Sequence, residues 1–154
     1  MERTLILVKP DGVQRGLIGE IIGRFEKKGL KLIGLKMMSL DDAILDSHYA
    51  HLSDKPFFAD IKDFMKSSPI VAMAWEGGKD TVSAVRILVG PTKGHEAPAG
   101  TIRGDFGLSG SNNIVHASDS VENGKLEVSR FFHADELFDY EKTISAHVYS
   151  KDER

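Results

Sequence analysis

The chain has 154 residues, of which 41% are apolar and 28% charged, and 20 Lys and Arg against 23 Asp and Glu leave a formal net charge of −3. This is the balance of an ordinary folded domain, and it argues against a protein that grips nucleic acid by its phosphates, which would be basic. Cysteine is absent, so disulfides and thiolate chemistry are excluded, and no apolar run approaches the roughly 20 residues of a membrane span.

Leu5 to Val8 is a continuous apolar run, which predicts a strand buried on both faces. It stops at Lys9-Pro10-Asp11-Gly12, where proline and glycine predict a turn. Lys9 is either a phosphate ligand carried at a strand end or a solvated lysine. From Leu17 to Lys28, Leu17, Ile18, Ile21, Ile22 and Phe25 recur at helical spacing, and Gly29 supplies the C-terminal cap. Leu30 to Met38 reads as a second strand.

Ser39-Leu40-Asp41-Asp42 resembles a capping box, and in the helix it starts Leu45, Tyr49 and Leu52 share a face. Pro56 suits a first helical position, ahead of Ile61, Phe64 and Met65. Phe57 and Phe58 are adjacent, so the core can claim only one of them and the other is left to face outwards. Ile70 to Trp75 is a third strand, and Val82, Val85, Leu88 and Val89 mark a helix that ends at Gly90-Pro91 with Arg86 off its apolar stripe.

Positions 91 to 113 show no sustained period and are punctuated by five glycines. An irregular stretch of this length is uncommon inside a compact domain and more often functional than not. Thr92, Lys93 and Arg103 within it are donors suited to phosphate oxygens. Asn113-Ile114-Val115-His116-Ala117-Ser118-Asp119 follows, and two apolar β-formers there carry His116 out to the start of a polar turn. A neutral imidazole is a competent nitrogen nucleophile near neutral pH, although a lone histidine is more often structural. Val121 to Glu127 reads as a short helix and Val128 to Phe132 as the last strand.

Beyond Tyr140 the chain turns polar and ends Lys-Asp-Glu-Arg, which suggests a frayed tail over about 141–154. There is no internal repeat, linker or leader-like start, so the expectation is one domain in the cytoplasm. Gly78-Lys79 lacks the upstream glycine and the hydroxyl residue of a phosphate-binding P-loop. His48 and His51, three apart on a helix, have no second pair of ligands and read as exposed helix histidines.

Taken together, Val8-Lys9-Pro10-Asp11-Gly12, Gly100-Thr101-Ile102-Arg103-Gly104-Asp105-Phe106 and the segment around His116 resemble the nucleoside diphosphate kinases, from about Glu2 to about Tyr140. The resemblance implies an α/β sandwich of ferredoxin-like βαββαβ type with a four-stranded antiparallel sheet. It also implies γ-phosphoryl transfer from a nucleoside triphosphate to a nucleoside diphosphate, by a ping-pong route through a phosphohistidine and with little base specificity. On this reading His116 is the nucleophile, Glu127 orients its ring, and Ser118 and Tyr49 stand beside it. Lys9, Arg86, Thr92 and Arg103 contact phosphates, Lys9 and Asn113 reach the ribose, and Phe57 stacks on the base.

Magnesium would arrive with the nucleotide rather than occupy a protein cage, with Asp119 near it. The implied partners are ATP, GTP, CTP, UTP and their deoxy and diphosphate forms, together with further copies of the chain in a hexamer or tetramer. Neither nucleic acid nor membrane is expected. Three positions depart from the family pattern: Ala117 where glycine is usual, Lys93-Gly94 where Asn-Pro is usual, and Ala99 in place of a proline that here falls at Pro98. A left-handed backbone directly after His116 is therefore not expected.

Overall fold

The computed structural model describes residues 1–153, and Arg154, the last residue of the expected frayed end, lies outside them. Four strands, β1 (Glu2–Val8), β2 (Lys31–Met38), β3 (Ile70–Gly77) and β4 (Val115–Ala117), form one antiparallel sheet in the order β2-β3-β1-β4. This is the ferredoxin-like arrangement, with β1 and β3 at the centre because they are the most continuously apolar segments. All eight residues of β3 are buried, and Leu5 to Val8 of β1 are fully so.

Successive strand residues point to opposite faces, so a sheet this apolar at its centre must be covered twice. Ile6, Val8, Met73 and Trp75 pack against Ile21 and Phe25 of α2 (Ile18–Lys28), with Val82, Val85 and Val89 buried in the later helix Thr81–Val89. Leu5, Leu7, Ala72 and Ala74 pack on the other face against Leu45, Met65, Val128 and Phe131. Each large side chain buried in this way stabilises the fold by roughly 1.5–3 kcal/mol relative to exposure.

The turn expected at Lys9 is a short helix, α1 (Pro10–Gln14), with Pro10 in the first turn, where its missing N–H costs nothing. Asp41 caps α3 (Asp42–His48) by accepting from the Ile44 N–H at 2.9 Å. The next helix, α4 (Phe58–Lys66), starts two residues later than Pro56 suggests. The remaining helices are α5 (Thr81–Val89), α6 (Ile102–Phe106), α7 (Val121–Phe131) and α8 (Ser145–Val148). No helix among the described residues is long and apolar enough to cross a membrane.

Three expectations are corrected. Val128 to Phe132 is not the last strand: apart from Phe132, its C-cap, it is the end of α7, a helix capped by Ser120 that packs on β1. Gly124 allows that packing, because a Cβ there would lie 2.2 Å from the Arg3 carbonyl oxygen. The fourth strand is instead the three residues around His116, too short to carry a strand pattern. The stretch 91–113 is not structureless, since it holds α6 and a 3₁₀ turn at Gly94–Glu96.

The tail is folded rather than frayed through Tyr149. Tyr140 and Lys142 donate to the carbonyls of Leu32 and Leu30, and the Tyr149 hydroxyl accepts from the Gly78 N–H.

Candidate active site

The strand order brings the distant motifs to one end of the sheet. Lys9 follows β1, and His116 pairs with Leu7 on β4, so the two come from adjacent strands. They line a cleft of about 660 Å³ together with Arg86 from α5, Thr92, Arg103 from α6, Asn113, Asp119 and Glu127 from α7. Tyr49, just past α3, and His48 complete one wall. Ser118 is fully buried behind the cleft, and Phe57 lines an adjoining hollow of about 540 Å³ that shares Lys9, Tyr49, Thr92 and Asn113 with it. The residues carried over from the motifs are thus in or against one continuous depression, whereas Lys93, the third donor expected in the irregular stretch, lines neither hollow and is exposed, 3.4 Å from Glu96.

His116 Nε2 lies 2.5 Å from Glu127 Oε2, and the Ser118 hydroxyl reaches the same oxygen at 3.2 Å. Ser118 Oγ in turn accepts from the Leu5 N–H at 3.0 Å, which ties the group to the centre of the sheet. With Nε2–H donating to a carboxylate, Nδ1 is the ring nitrogen that keeps a lone pair.

Three cations, Lys9, Arg86 and Arg103, line the same cleft. Burial, with the Arg103 charge, pushes the Lys9 ammonium down to about 8, partly opposed by Asp11. Burial, with Arg86 beside it, pushes the Arg103 guanidinium down to about 10, again opposed by Asp11. Positive groups held close at such cost mark a site made for an anion.

Lys9 Nζ donates to Asn113 Oδ1 at 2.8 Å, while Asn113 Nδ2 donates to the carbonyls of Thr92 and Gly110. Arg103 donates to the carbonyls of Gly90, Asn113 and Val115 at 3.0, 3.1 and 2.7 Å, and this pins the glycine-rich stretch to β4. Arg86 Nη1 reaches the Ala117 carbonyl at 3.3 Å. Burial, with Glu127 nearby, pushes the Tyr49 phenol up to about 12, so it stays a donor at neutral pH. Asp119, exposed at the rim, accepts from Asn123 Nδ2, which holds its carboxyl below the usual range.

Of the two adjacent phenylalanines, Phe57 is the outward one at 46% exposure. Phe58 is half-buried beneath Lys62, whose ammonium lies 5.4 Å from its ring. The backbone after His116 is extended, as Ala117 suggests; the left-handed residue is Ile114, at φ 75°, two positions before it.

His48 is not the exposed helix histidine that its spacing suggests. It is 6% exposed, on the same inward face as Leu45, with its ring edge-on to His116 at 4.6 Å between centroids. Burial, followed by the charges of His116, Arg130, His51 and Lys9, drives it down to about 2, so it is neutral. The Leu45-to-His48 spacing of three was the signal that could have placed it inside. His48, His116 and Glu127 each bring a donor atom within 4.8 Å of the others, but the same surrounding cations oppose a bare metal ion there. Asp11 and Arg130 were also missed as parts of this region.

Comparison with known proteins gives a consistent answer. The sequence model of the family described as Nucleoside diphosphate kinase matches residues 2–137. The chain is 55% identical over 153 residues to a nucleoside diphosphate kinase of Parabacteroides distasonis, covering 99% of each chain. It is 50% identical over 151 residues to one from Archaeoglobus fulgidus, covering 98% of this chain and 99% of that one. The solved structure of a Halobacterium salinarum nucleoside diphosphate kinase in complex with CDP superposes with a TM-score of 0.93 at 47% identity, covering 97% and 99% of the two chains. A Babesia bovis family protein does so with 0.93 at 48% identity, covering 97% and 100%. The fold, the cleft and these matches lead to one conclusion: the chain belongs to the nucleoside diphosphate kinase family of enzymes.

Proposed function

We propose that this enzyme works by a ping-pong route through phosphorylated His116. The observation that carries the reading is the Ser118–Glu127–His116 series, which leaves Nδ1 as the nucleophilic nitrogen in the cleft that Lys9, Arg86 and Arg103 also line. The Nδ1 lone pair attacks the γ-phosphorus, the bond from phosphorus to the β–γ bridging oxygen breaks, and the nucleoside diphosphate leaves with that electron pair. The Nε2 proton stays against Glu127, which offsets the positive charge the ring acquires. In the second half a terminal oxygen of another diphosphate attacks, and the P–N bond breaks back to Nδ1. Phosphoryl transfer needs positioning and charge stabilisation more than covalent chemistry, and two guanidiniums, an ammonium and the Thr92 hydroxyl supply it.

Asn113 and Lys9 are assigned to the sugar, Tyr49 to the phosphoryl group and Phe57 to the base. The CDP bound by the halobacterial relative supports a nucleotide as occupant. Magnesium fits as a companion of the nucleotide: Asp119 is a single exposed carboxylate at the rim, with one oxygen already engaged by Asn123, and one such group does not make an oxygen cage. When bound, the ion neutralises charge on the outer phosphates.

The test is incubation with γ-labelled ATP followed by denaturing electrophoresis. Label should be acid-labile and base-stable, as a phosphoramidate is, and absent from His116→Ala. Label persisting in that variant would overturn the assignment.

A homo-oligomer, hexameric or tetrameric, is part of the same proposal. Leu35 and Phe138, 51% and 66% exposed, line one surface hollow, and Met37, 58% exposed, lies two residues along β2 on the same face, an exposed apolar group of the kind that marks an interface. Sedimentation equilibrium at micromolar concentration should show an assembly, and a stable monomer would refute it.

A further inference from the structure

Ile114 carries an unusual load. It is fully buried and β-branched, yet its φ is 75°, a region such residues rarely enter. It lies between Asn113, which holds Lys9, and the strand that carries His116, so any relaxation of Ile114 moves both. Two bonds hold it in place. Its N–H donates to Asp11 Oδ2 at 3.0 Å, and its carbonyl accepts from the Lys9 N–H at 2.8 Å.

Asp11 therefore joins the first turn of α1 to the segment before the nucleophile. Its other oxygen, Oδ1, is buried without a hydrogen-bond partner, so half of this carboxylate is not spent on structure. A buried carboxylate oxygen left bare is costly and calls for an explanation. The charges around it provide one, since Asp11 is the acid that acts on both Lys9 and Arg103.

We propose that Asp11 is a positioning residue for phosphoryl transfer. One carboxylate oxygen locks the strained Ile114 backbone that aims Asn113 and His116, and the charge as a whole keeps Lys9 an ammonium beside Arg103. Without that charge, burial and the neighbouring guanidinium would strip the proton from Lys9 at lower pH, and the phosphate ligand would be lost within the working range. The groups whose charges bear on Lys9 are Arg103 from α6, which lowers it, and Asp11 from α1, which raises it, while His48 from α3 is neutral.

The functional part of the proposal rests on the phosphohistidine reading, and the experiment separates the two. Lys9 is titrated by NMR in nucleotide-free protein, through its ¹³C-labelled ε carbon, in the wild type and in Asp11→Asn. The amide oxygen of asparagine can still accept from Ile114, so this variant removes charge and keeps the anchor. The Lys9 midpoint should fall by about one unit, the scale of a nearby charge. An unchanged midpoint overturns the charge role whether or not His116 is ever phosphorylated.

Asp11→Ala removes the anchor as well. Its turnover should fall at least about tenfold below that of Asp11→Asn, with KM changed much less, as expected when a nucleophile is misaimed. Equal turnover in the two variants overturns the anchoring role. A failure of His116 to take up label would instead refute the phosphohistidine and leave the Lys9 titration standing.

Discussion

The Ser118 hydroxyl and the His116 ring meet on one carboxylate oxygen, Glu127 Oε2, at 3.2 and 2.5 Å. The serine thus reaches the His116 ring through the glutamate, and it is anchored to the Leu5 N–H at the centre of the sheet. Glu127→Gln should lower turnover by about tenfold to a hundredfold with little change in nucleotide affinity, the pattern for loss of an orienting partner. Ser118→Ala should follow with a smaller loss. Nucleotide affinity that falls tenfold while turnover stays intact would move Glu127 into the nucleotide site.

Lys9 sets an alkaline limit. Its folded value is pushed down to about 8, so the ammonium is present below that pH and lost as pH rises through it. Tyr49, pushed up to about 12, and His48, driven down to about 2, do not titrate in this range. The alkaline limb of kcat/KM, which reports the free enzyme, should therefore centre near pH 8. A flat profile to pH 9.5 or so would show that Lys9 does not carry phosphate affinity.

Arg103 is a staple for the stretch after α5. Arg103→Met would leave the carbonyls of Gly90 and Val115 without this donor and take from the Asn113 carbonyl one of its two. The expected destabilisation is on the order of 3 kcal/mol, because buried acceptors left bare cost about 1–3 kcal/mol each and water re-solvates some of them. For a chain of this length that is a fall of about 10 °C in Tm, readable by calorimetry. A Tm within about 2 °C of wild type would mean that the stretch after α5 holds itself without the guanidinium.

Phe57 and Phe58 separate function from packing. An aromatic face stacks on any base for about 1–3 kcal/mol, so Phe57→Ala should weaken every nucleotide together by that amount. The wild-type kcat/KM values for ATP, GTP, CTP and UTP should agree within about tenfold to a hundredfold, since no assigned residue reads a base edge. Phe58→Ala, which removes a half-buried ring, should act mainly on stability. A preference above about a thousandfold for one base would reveal an edge contact among the residues lining the hollow.

The central strands and the amphipathic helix after Leu17 were legible because continuous burial and helical period leave plain patterns. That Lys9, Arg86 and Arg103 line one cleft was legible only through their motifs, since nothing in their periodicity says that they meet. Val128 to Phe132 misled because β-branched and aromatic residues also serve a helix that packs on a sheet. Its marker was Ser120, whose hydroxyl caps Asn123. His48 was hidden because a histidine is ambiguous between surface and interior. The left-handed Ile114 could not be foreseen, because residue type argues against it and the bonds that hold it come from Asp11 and the Lys9 N–H, about a hundred residues away.

Strand β4 is the last strand on its side of the sheet, and unpaired edges invite foreign strands. The Ile114 carbonyl accepts from the Lys9 N–H just past β1 and the Ser118 N–H donates to the Leu5 carbonyl, so the alternation of an antiparallel ladder turns Val115 and Ala117 outwards. Their outward carbonyls are the acceptors that an incoming strand would need. Arg103 donates to the first and Arg86 to the second, and the Val115 N–H is taken by the Asn113 carbonyl. The two guanidiniums thus also satisfy the outward carbonyls of this border strand, on either side of His116.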